Sequence, residues 1–288
     1  MSTHFRPSEY HRPESIDEAL RILGNNPGDA KVIAGGTDLL VSKPVGTKIL
    51  VDISRLPLSY IEEGDVLRIG ATTNFNAIQA SEHLRENPLK IMSEASGEIG
   101  HYNLRHLATI GGNLCNAVPS ADAAIPLIAL DAEAVIAGVD KDRMVKFENF
   151  FTFVQETVLD ESEILKEIRI PQQPPGTGAS FERIGRTNVD IALVNAAVRL
   201  TLDDERVCAD SRIVLGAVAP TPIRVSRAEE MLLGMKLTNE LIEEAAGTAS
   251  QETKPISDVR TSSEYRREMS KVLVRRALKK ALSRAMGE

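Results

Sequence analysis

Apolar positions along this chain recur at two periods, and the switches between them mark out its elements. Helical spacing comes first at residues 15–24: Ser15 is placed to cap, Glu18 stands as a capping-box partner, Ala19, Leu20 and Leu23 form one face, and Gly24 ends the run. Residues 31–34, 49–53 and 65–71 are short apolar runs that predict strands, the first leading into Gly35-Gly36-Thr37-Asp38. Helical spacing returns at 75–84 and 91–99, and the apolar run 123–130 predicts a helix capped by Ser120 with Asp122 in its first turn. The Pro/Gly-rich stretch 171–178 is the best linker candidate, followed by strand-like runs at 191–202 and 211–219. A last helix is predicted at 262–285, with Tyr265, Met269, Val272, Leu273, Leu278 and Leu282 as its apolar stripe and a basic face turned to solvent. Three units result: a small α/β unit, a second that meets it around 108–126, and a third after the linker.

Composition narrows what such a chain can do. With 288 residues, 42% of them hydrophobic, it can bury a core large enough for two or three packed units. Its 34 basic against 41 acidic residues give a net charge of −7, so no whole-chain positive field exists to hold nucleic acid or an anionic membrane. The first thirteen residues are polar and include His4, Arg6, His11 and Arg12, which does not suit a secretory signal. No run approaches the roughly 18 apolar residues of a spanning helix, and a cytoplasmic location without membrane insertion is expected. Cys115 and Cys208 are too few for a four-thiolate iron–sulfur cluster, and a disulfide is not expected in a reducing compartment. Any iron–sulfur centre therefore belongs on another polypeptide. His4, His11, His83, His101 and His106 show neither metal nor triad spacing.

Candidate chemistry lies in two glycine pairs. Val32-Ile33-Ala34-Gly35-Gly36-Thr37-Asp38 puts bare backbone after a strand, where N–H groups can surround an anion, although a plain turn accounts for the same residues. The segment matches neither the dinucleotide GxGxxG motif nor a P-loop. The second pair, Thr109-Ile110-Gly111-Gly112-Asn113, has Asn116 beyond it, adding side chains suited to phosphate oxygens and sugar hydroxyls. Two anion cradles about 75 residues apart suit a ligand with two linked phosphates.

These two segments, with Arg105 ahead of the second, resemble the FAD-binding subunit shared by xanthine dehydrogenase, nicotinate dehydrogenase and carbon monoxide dehydrogenase, members of the molybdenum hydroxylase family. Glu163-Ile164-Leu165, Asp190-Ile191-Ala192, Ala219-Pro220-Thr221-Pro222-Ile223-Arg224 and Ser263-Glu264-Tyr265-Arg266 fall in the family's order, so the resemblance spans nearly the whole chain. It implies an α+β protein: a two-subdomain FAD-binding fold of the vanillyl-alcohol-oxidase type over 1–55 and 56–175, with a separate C-terminal α+β domain over 176–288. It also implies that Val32, Ile33, Ala34, Gly35, Gly36, Thr37, Asp38 and Leu39, together with Thr109, Ile110, Gly111, Gly112 and Asn113, bind FAD, most of them around its pyrophosphate. Asn116 and Asp122 would contact phosphate or ribose. Ile164 and Leu165 would lie against the adenine or flavin part, although they read equally well as strand core. Asp190 and Ile191 would border the isoalloxazine ring.

One departure concerns the string Phe181-Glu182-Arg183, where related chains often place a Lys after the aromatic residue. Either Glu182 replaces that Lys or Arg183 takes its role; Arg183 is preferred, because a cation stabilises anionic reduced flavin and a carboxylate does not. The resemblance further implies non-covalent FAD, no catalytic side chain and no metal on this chain. Molybdopterin would sit on a large partner subunit and two-iron two-sulfur clusters on a small one, with NAD, a quinone, ferredoxin or oxygen as final acceptor. Competing with this electron relay are a self-contained FAD oxidase and a nucleotide-binding scaffold without redox chemistry.

Overall fold

The computed structural model describes residues 5–288, so His4 lies outside the described residues. The chain opens with β1 (Glu9–His11), α1 (Ile16–Asn25), β2 (Ala30–Ile33), α2 (Leu39–Ser42) and β3 (Ile49–Asp52). These strands make a parallel three-stranded sheet in the order β1-β3-β2. Ala19, Leu20 and Leu23 of α1 pack against Ile49 and Val51, as the spacing predicts. Ser15 caps α1 by accepting the Glu18 N–H, but the Glu18 carboxylate takes the N–H of Glu14 rather than that of Ser15. Gly24 does not end the helix. Asn26 does, its side chain donating to the Ile22 carbonyl at 2.8 Å, so no left-handed glycine is required there.

The next stretch runs β4 (Ile61–Glu62), β5 (Val66–Gly70), α3 (Phe75–Ala80), α4 (Lys90–Gly97), α5 (Tyr102–Leu107), α6 (Ile110–Asn116), α7 (Ala124–Ala129), β6 (Glu133–Ala137), β7 (Arg143–Lys146), β8 (Phe151–Phe153), β9 (Glu156–Thr157) and β10 (Ile164–Pro171). Its main sheet is antiparallel, β4-β5-β10-β6-β7. The helices cover one face of that sheet and enclose the largest apolar core, which includes Ile69, Phe75, Ile78, Ile91, Ile110 and Leu127.

The remaining elements are β11 (Thr177–Ile184), β12 (Val194–Leu202), β13 (Cys208–Gly216), β14 (Ile223–Arg224), α8 (Ser226–Leu232), α9 (Asn239–Gln251) and α10 (Ser263–Ala285). They form an antiparallel sheet β11-β12-β13-β14 with helices on one side. Its other face rests on α7 and α4, so β12 is buried at every position. The period of two survives in the partners: Val194, Ala196, Val198 and Leu200 meet the C-terminal helices, while Ala197 joins the central core. Asn195 and Arg199 share the face of Ala197 and are met there by Asp122 and Asp131 of the preceding unit. The connection 172–176 is shorter than the sequence suggests, because β10 enters the Pro/Gly-rich stretch from one side and β11 from the other.

The last helix starts within a residue of its predicted bound, where Ser262 caps it by accepting the Tyr265 N–H. Its buried stripe is rotated from the one expected: Arg266, Ser270, Leu273, Val274, Ala277, Leu278 and Ala281 are enclosed, whereas Tyr265 is exposed. The cause is how closely α10 lies on the sheet. A Cβ added at Gly178 would stand 2.0 Å from the Ala281 carbonyl, and only small residues at the contact allow that approach. Nor is the basic side all solvated: Arg284 reaches Glu94 and the Ala179 carbonyl, and Lys280 reaches Glu182.

Candidate functional site

A cavity of about 900 Å³ lies where the units meet, near the upper end of the roughly 300–1,000 Å³ usual for ligand sites. Both glycine pairs border it. The first follows β2 as an open connection: Gly36 adopts φ +69°, a left-handed conformation that suits glycine. Among the described residues, the N–H groups of residues 35–39 meet no backbone acceptor, which leaves a run of donors beside the cavity. Such a run is a concave seat for an anion.

The second pair is not a loop. Thr109 accepts the Gly112 N–H at 3.1 Å and starts α6, so Gly111 and Gly112 form the first turn of a helix. The Thr109 hydroxyl is thereby committed within the chain, though the residue still borders the cavity. Gly111 is pressed against Ala71, whose carbonyl would be 2.6 Å from an added Cβ; Gly112 is exposed and would meet only the Thr109 hydroxyl, at 3.0 Å. Ile110 is the one predicted site residue that does not line the cavity. Its side chain is fully buried in the central core and its N–H goes to the Thr73 carbonyl.

The first segment packs on Leu107 and Ala108, which lead into the second. A Cβ on Gly35 would lie 1.8 Å from the Leu107 carbonyl, so the backbones are in direct contact there. Asn116 then donates to Asp38 at 3.0 Å, joining the end of α6 to the start of α2. Asn113 keeps a buried side-chain oxygen without a partner, an acceptor left open at the cavity's edge.

Asp122 is placed differently from its prediction. α7 begins at Ala124 and has no side-chain cap, so neither Ser120 nor Asp122 serves it. Asp122 is instead buried, accepting from Asn195 Nδ2 at 2.6 Å and facing Arg183 Nε at 3.3 Å. Burial pushes its carboxyl up to about 6, against the opposing pull of Arg183 and Asn195. Arg183 lines the cavity and donates to the Asp190 carbonyl, with Glu98 at 3.4 Å. Glu182 turns the other way, toward Lys280 at 3.3 Å. Alternation along β11 accounts for the difference.

Val32, Ile33, Ala34, Thr37, Leu39, Ile164, Leu165, Asp190 and Ile191 also line the cavity. Sequence patterns missed Lys31, the segment from Thr157 to Glu161, Val189 and Arg260. Arg260 lies in an irregular stretch between α9 and α10 and carries no local motif. His101 caps α5 and His106 pairs with Asn76, and neither borders the cavity. Among the described residues no group of three or more His, Cys, Asp or Glu converges as a metal site.

Comparison with known proteins agrees with this geometry. A family model for the FAD binding domain in molybdopterin dehydrogenase matches residues 3–173, and one for the CO dehydrogenase flavoprotein C-terminal domain matches 179–281. The 6-hydroxypseudooxynicotine dehydrogenase complex subunit alpha of Paenarthrobacter nicotinovorans is 34% identical, with 96% of this chain and 95% of that protein aligned. The xanthine dehydrogenase FAD-binding subunit of Escherichia coli O157:H7 is 30% identical over 98% of both. A solved carbon monoxide dehydrogenase from Hydrogenophaga pseudoflava, lacking the Mo-pyranopterin moiety of its cofactor, superposes with a TM-score of 0.92 at 34% identity, covering 97% of this chain and 98% of that one. The chain belongs to the FAD-binding subunits of the molybdenum hydroxylase family, a family of oxidoreductases. Among the described residues no helix is long and apolar enough to cross a membrane.

Proposed function

We propose that this chain is the electron-relaying FAD subunit of a larger complex and that the cavity between its units holds the cofactor without a covalent bond. The observation that supports this most strongly is the meeting of the two glycine segments at one cavity beside a run of unpaired backbone N–H groups. That donor set and the open approach at Gly112 fit a dinucleotide diphosphate, and the vacant acceptor on Asn113 fits a hydroxyl of its sugar. In this assignment residues 35–39 and the first turn of α6 hold the pyrophosphate, and Ile33, Ile164 and Leu165 flank one end of the ligand. At the other end, Asp190 and Ile191 border the isoalloxazine ring and exclude water from it.

Bound FAD supplies a centre that takes up electrons singly and releases them in pairs. The residues tune that property rather than perform chemistry. Arg183 presents a cation to the ring, which favours the anionic reduced form, and Asp122 with the Asp190 carbonyl holds the guanidinium in place. Asn116 and Asp122 would contact phosphate or ribose.

The fold assignment that goes with this is the vanillyl-alcohol-oxidase type, with subdomains at 1–55 and 56–175 and a C-terminal domain at 176–288. A small subunit with two-iron two-sulfur clusters would supply electrons, a large molybdopterin subunit would oxidise the organic substrate, and NAD or another acceptor would take the electrons away. Two free cysteines suit a cytoplasmic complex. The test is purification of the chain with whatever accompanies it, followed by metal analysis, an absorption spectrum and turnover assays on complex and isolated chain. Iron and molybdenum with the complex, flavin with the chain and no substrate turnover by the isolated chain are expected. Turnover by the chain alone would replace this account with a self-contained oxidase, and a chain that stays colourless with added FAD would replace it with a nucleotide-binding scaffold.

A further inference from the structure

The string Ser263-Glu264-Tyr265-Arg266 has no part in the site described above, yet its last member is the largest fully enclosed side chain of the protein. Arg266 is 1% exposed at the start of α10. Removing a guanidinium from water costs several kcal/mol, so at a helix–sheet contact an apolar side chain would be the cheaper filling. What an arginine offers in its place is a rigid fork with donors in several directions.

Three acceptors use that fork. Nη1 donates to the Leu193 carbonyl at 2.5 Å and to the Ala217 carbonyl at 3.2 Å, and Nη2 donates to Asp258 at 3.0 Å. Each acceptor belongs to a segment that borders the cavity or braces its wall. Leu193 closes the loop that carries Val189, Asp190 and Ile191 into the cavity. Ala217, at φ +61°, gives its own N–H to the carbonyl of the cavity-lining Pro119 at 2.7 Å. Asp258 grips Arg260, which also lines the cavity, through Nε at 2.9 Å and Nη2 at 2.6 Å. Arg266 itself does not reach the cavity.

We infer that Arg266 is a positioning residue: from outside the site it holds together the wall made by Asp190, Ile191 and Arg260, against which the isoalloxazine end of the cofactor rests. This rests on the FAD assignment given above. It separates the ligand into two halves that the protein secures by different means. The glycine segments grip the diphosphate without help from Arg266, whereas the ring end depends on a wall that Arg266 sets.

FAD and ADP distinguish the two halves, since both offer a diphosphate and an adenosine and only FAD reaches the wall. Each is titrated into the full chain freed of flavin, unaltered and as Arg266→Met and Asp258→Asn, with the visible spectrum of bound FAD recorded in parallel. Arg266→Met is expected to weaken FAD about tenfold or more and shift its absorption band, with ADP affinity held within about twofold. Asp258→Asn, which leaves the Leu193 and Ala217 contacts of Arg266 intact and weakens the one carboxylate oxygen that Arg266 and Arg260 share, is expected to weaken FAD about threefold and leave ADP unchanged. Equal loss of both ligands would reduce Arg266 to a structural residue and overturn the inference. Should Arg266→Met fail to fold, Asp258→Asn decides alone, and FAD binding as tight as that of the unaltered chain would overturn it. If the unaltered chain binds ADP but not FAD, the cofactor assignment falls, and this inference with it.

Discussion

Gly35-Gly36 and Gly111-Gly112 are the same dipeptide set in different backbones, one in an open connection after β2 and the other in the first turn of α6. Within each pair the labour divides alike. Gly35 and Gly111 are demanded by packing, since a Cβ would fall 1.8 Å from the Leu107 carbonyl in one case and 2.6 Å from the Ala71 carbonyl in the other. Gly36 and Gly112 are free of backbone contact at that position. The lesson is that a glycine pair at a ligand site need not be two ligand-facing glycines: the first brings the walls together and the second leaves room for what they enclose.

That division can be broken by substitution. Gly35→Ala forces the first segment away from Leu107 and is expected to lower stability by about 3 kcal/mol or more, seen as a fall in melting temperature of the flavin-free chain. A flavin-free chain that melts as before would show that the contact yields. Gly112→Val is the milder case: its neighbour is the single Thr109 hydroxyl that caps α6, so the loss of folding stability should stay within the roughly 1–2 kcal/mol that such a cap is worth. FAD affinity should nevertheless fall about a hundredfold, or roughly 2.7 kcal/mol, because branched carbon fills the approach to the diphosphate. Undiminished flavin retention would remove Gly112 from the site. Asp122→Ala tests whether the glycines suffice without the buried carboxylate; a loss of roughly 1–3 kcal/mol in FAD binding is expected by fluorescence titration, and unchanged affinity would leave Asp122 a purely structural partner of Asn195.

The smallest effect concerns pH. Because burial raises the Asp122 carboxyl to about 6, its protonated form is favoured in the folded chain more than in the unfolded one. The folded state then binds more protons over that window, so this group's contribution to stability declines as pH rises and is spent above about 6. Denaturant melts of the unaltered chain and of Asp122→Asn at about pH 4.5 and 6 should differ in their change by about 1.5 kcal/mol, with the unaltered chain losing more on going up. Parallel behaviour of the two would mean that Arg183 neutralises the cost of burial completely.

The fold was legible wherever one face of an element decides its pattern. α1, β3, β5 and α10 start or end within a residue or two of their predicted bounds, since caps and apolar spacing act locally. β11 was missed because it is covered from both sides and its buried run carries no alternation. Two glycines disfavour a helix, so the second pair carries little local signal for α6, and the Thr109 cap that overrides this is a single hydroxyl. The local sequence makes Asp122 a helix-end carboxylate, because Asn195 and Arg183, which claim it, are more than sixty residues away in sequence. Arg260 and the buried state of Arg266 depend on partners from three separate loops, and no local pattern encodes such a meeting.

The clasp between Arg284 and Glu94 joins residues 190 positions apart, and α10 must be made before it can close. The glycine segments precede in sequence the strand carrying Arg183 and the stretch carrying Arg260, so the chamber they border is incomplete until those residues follow. A chain cut short before α10 would therefore keep the glycine segments and lose that clasp, offering FAD a seat with no back.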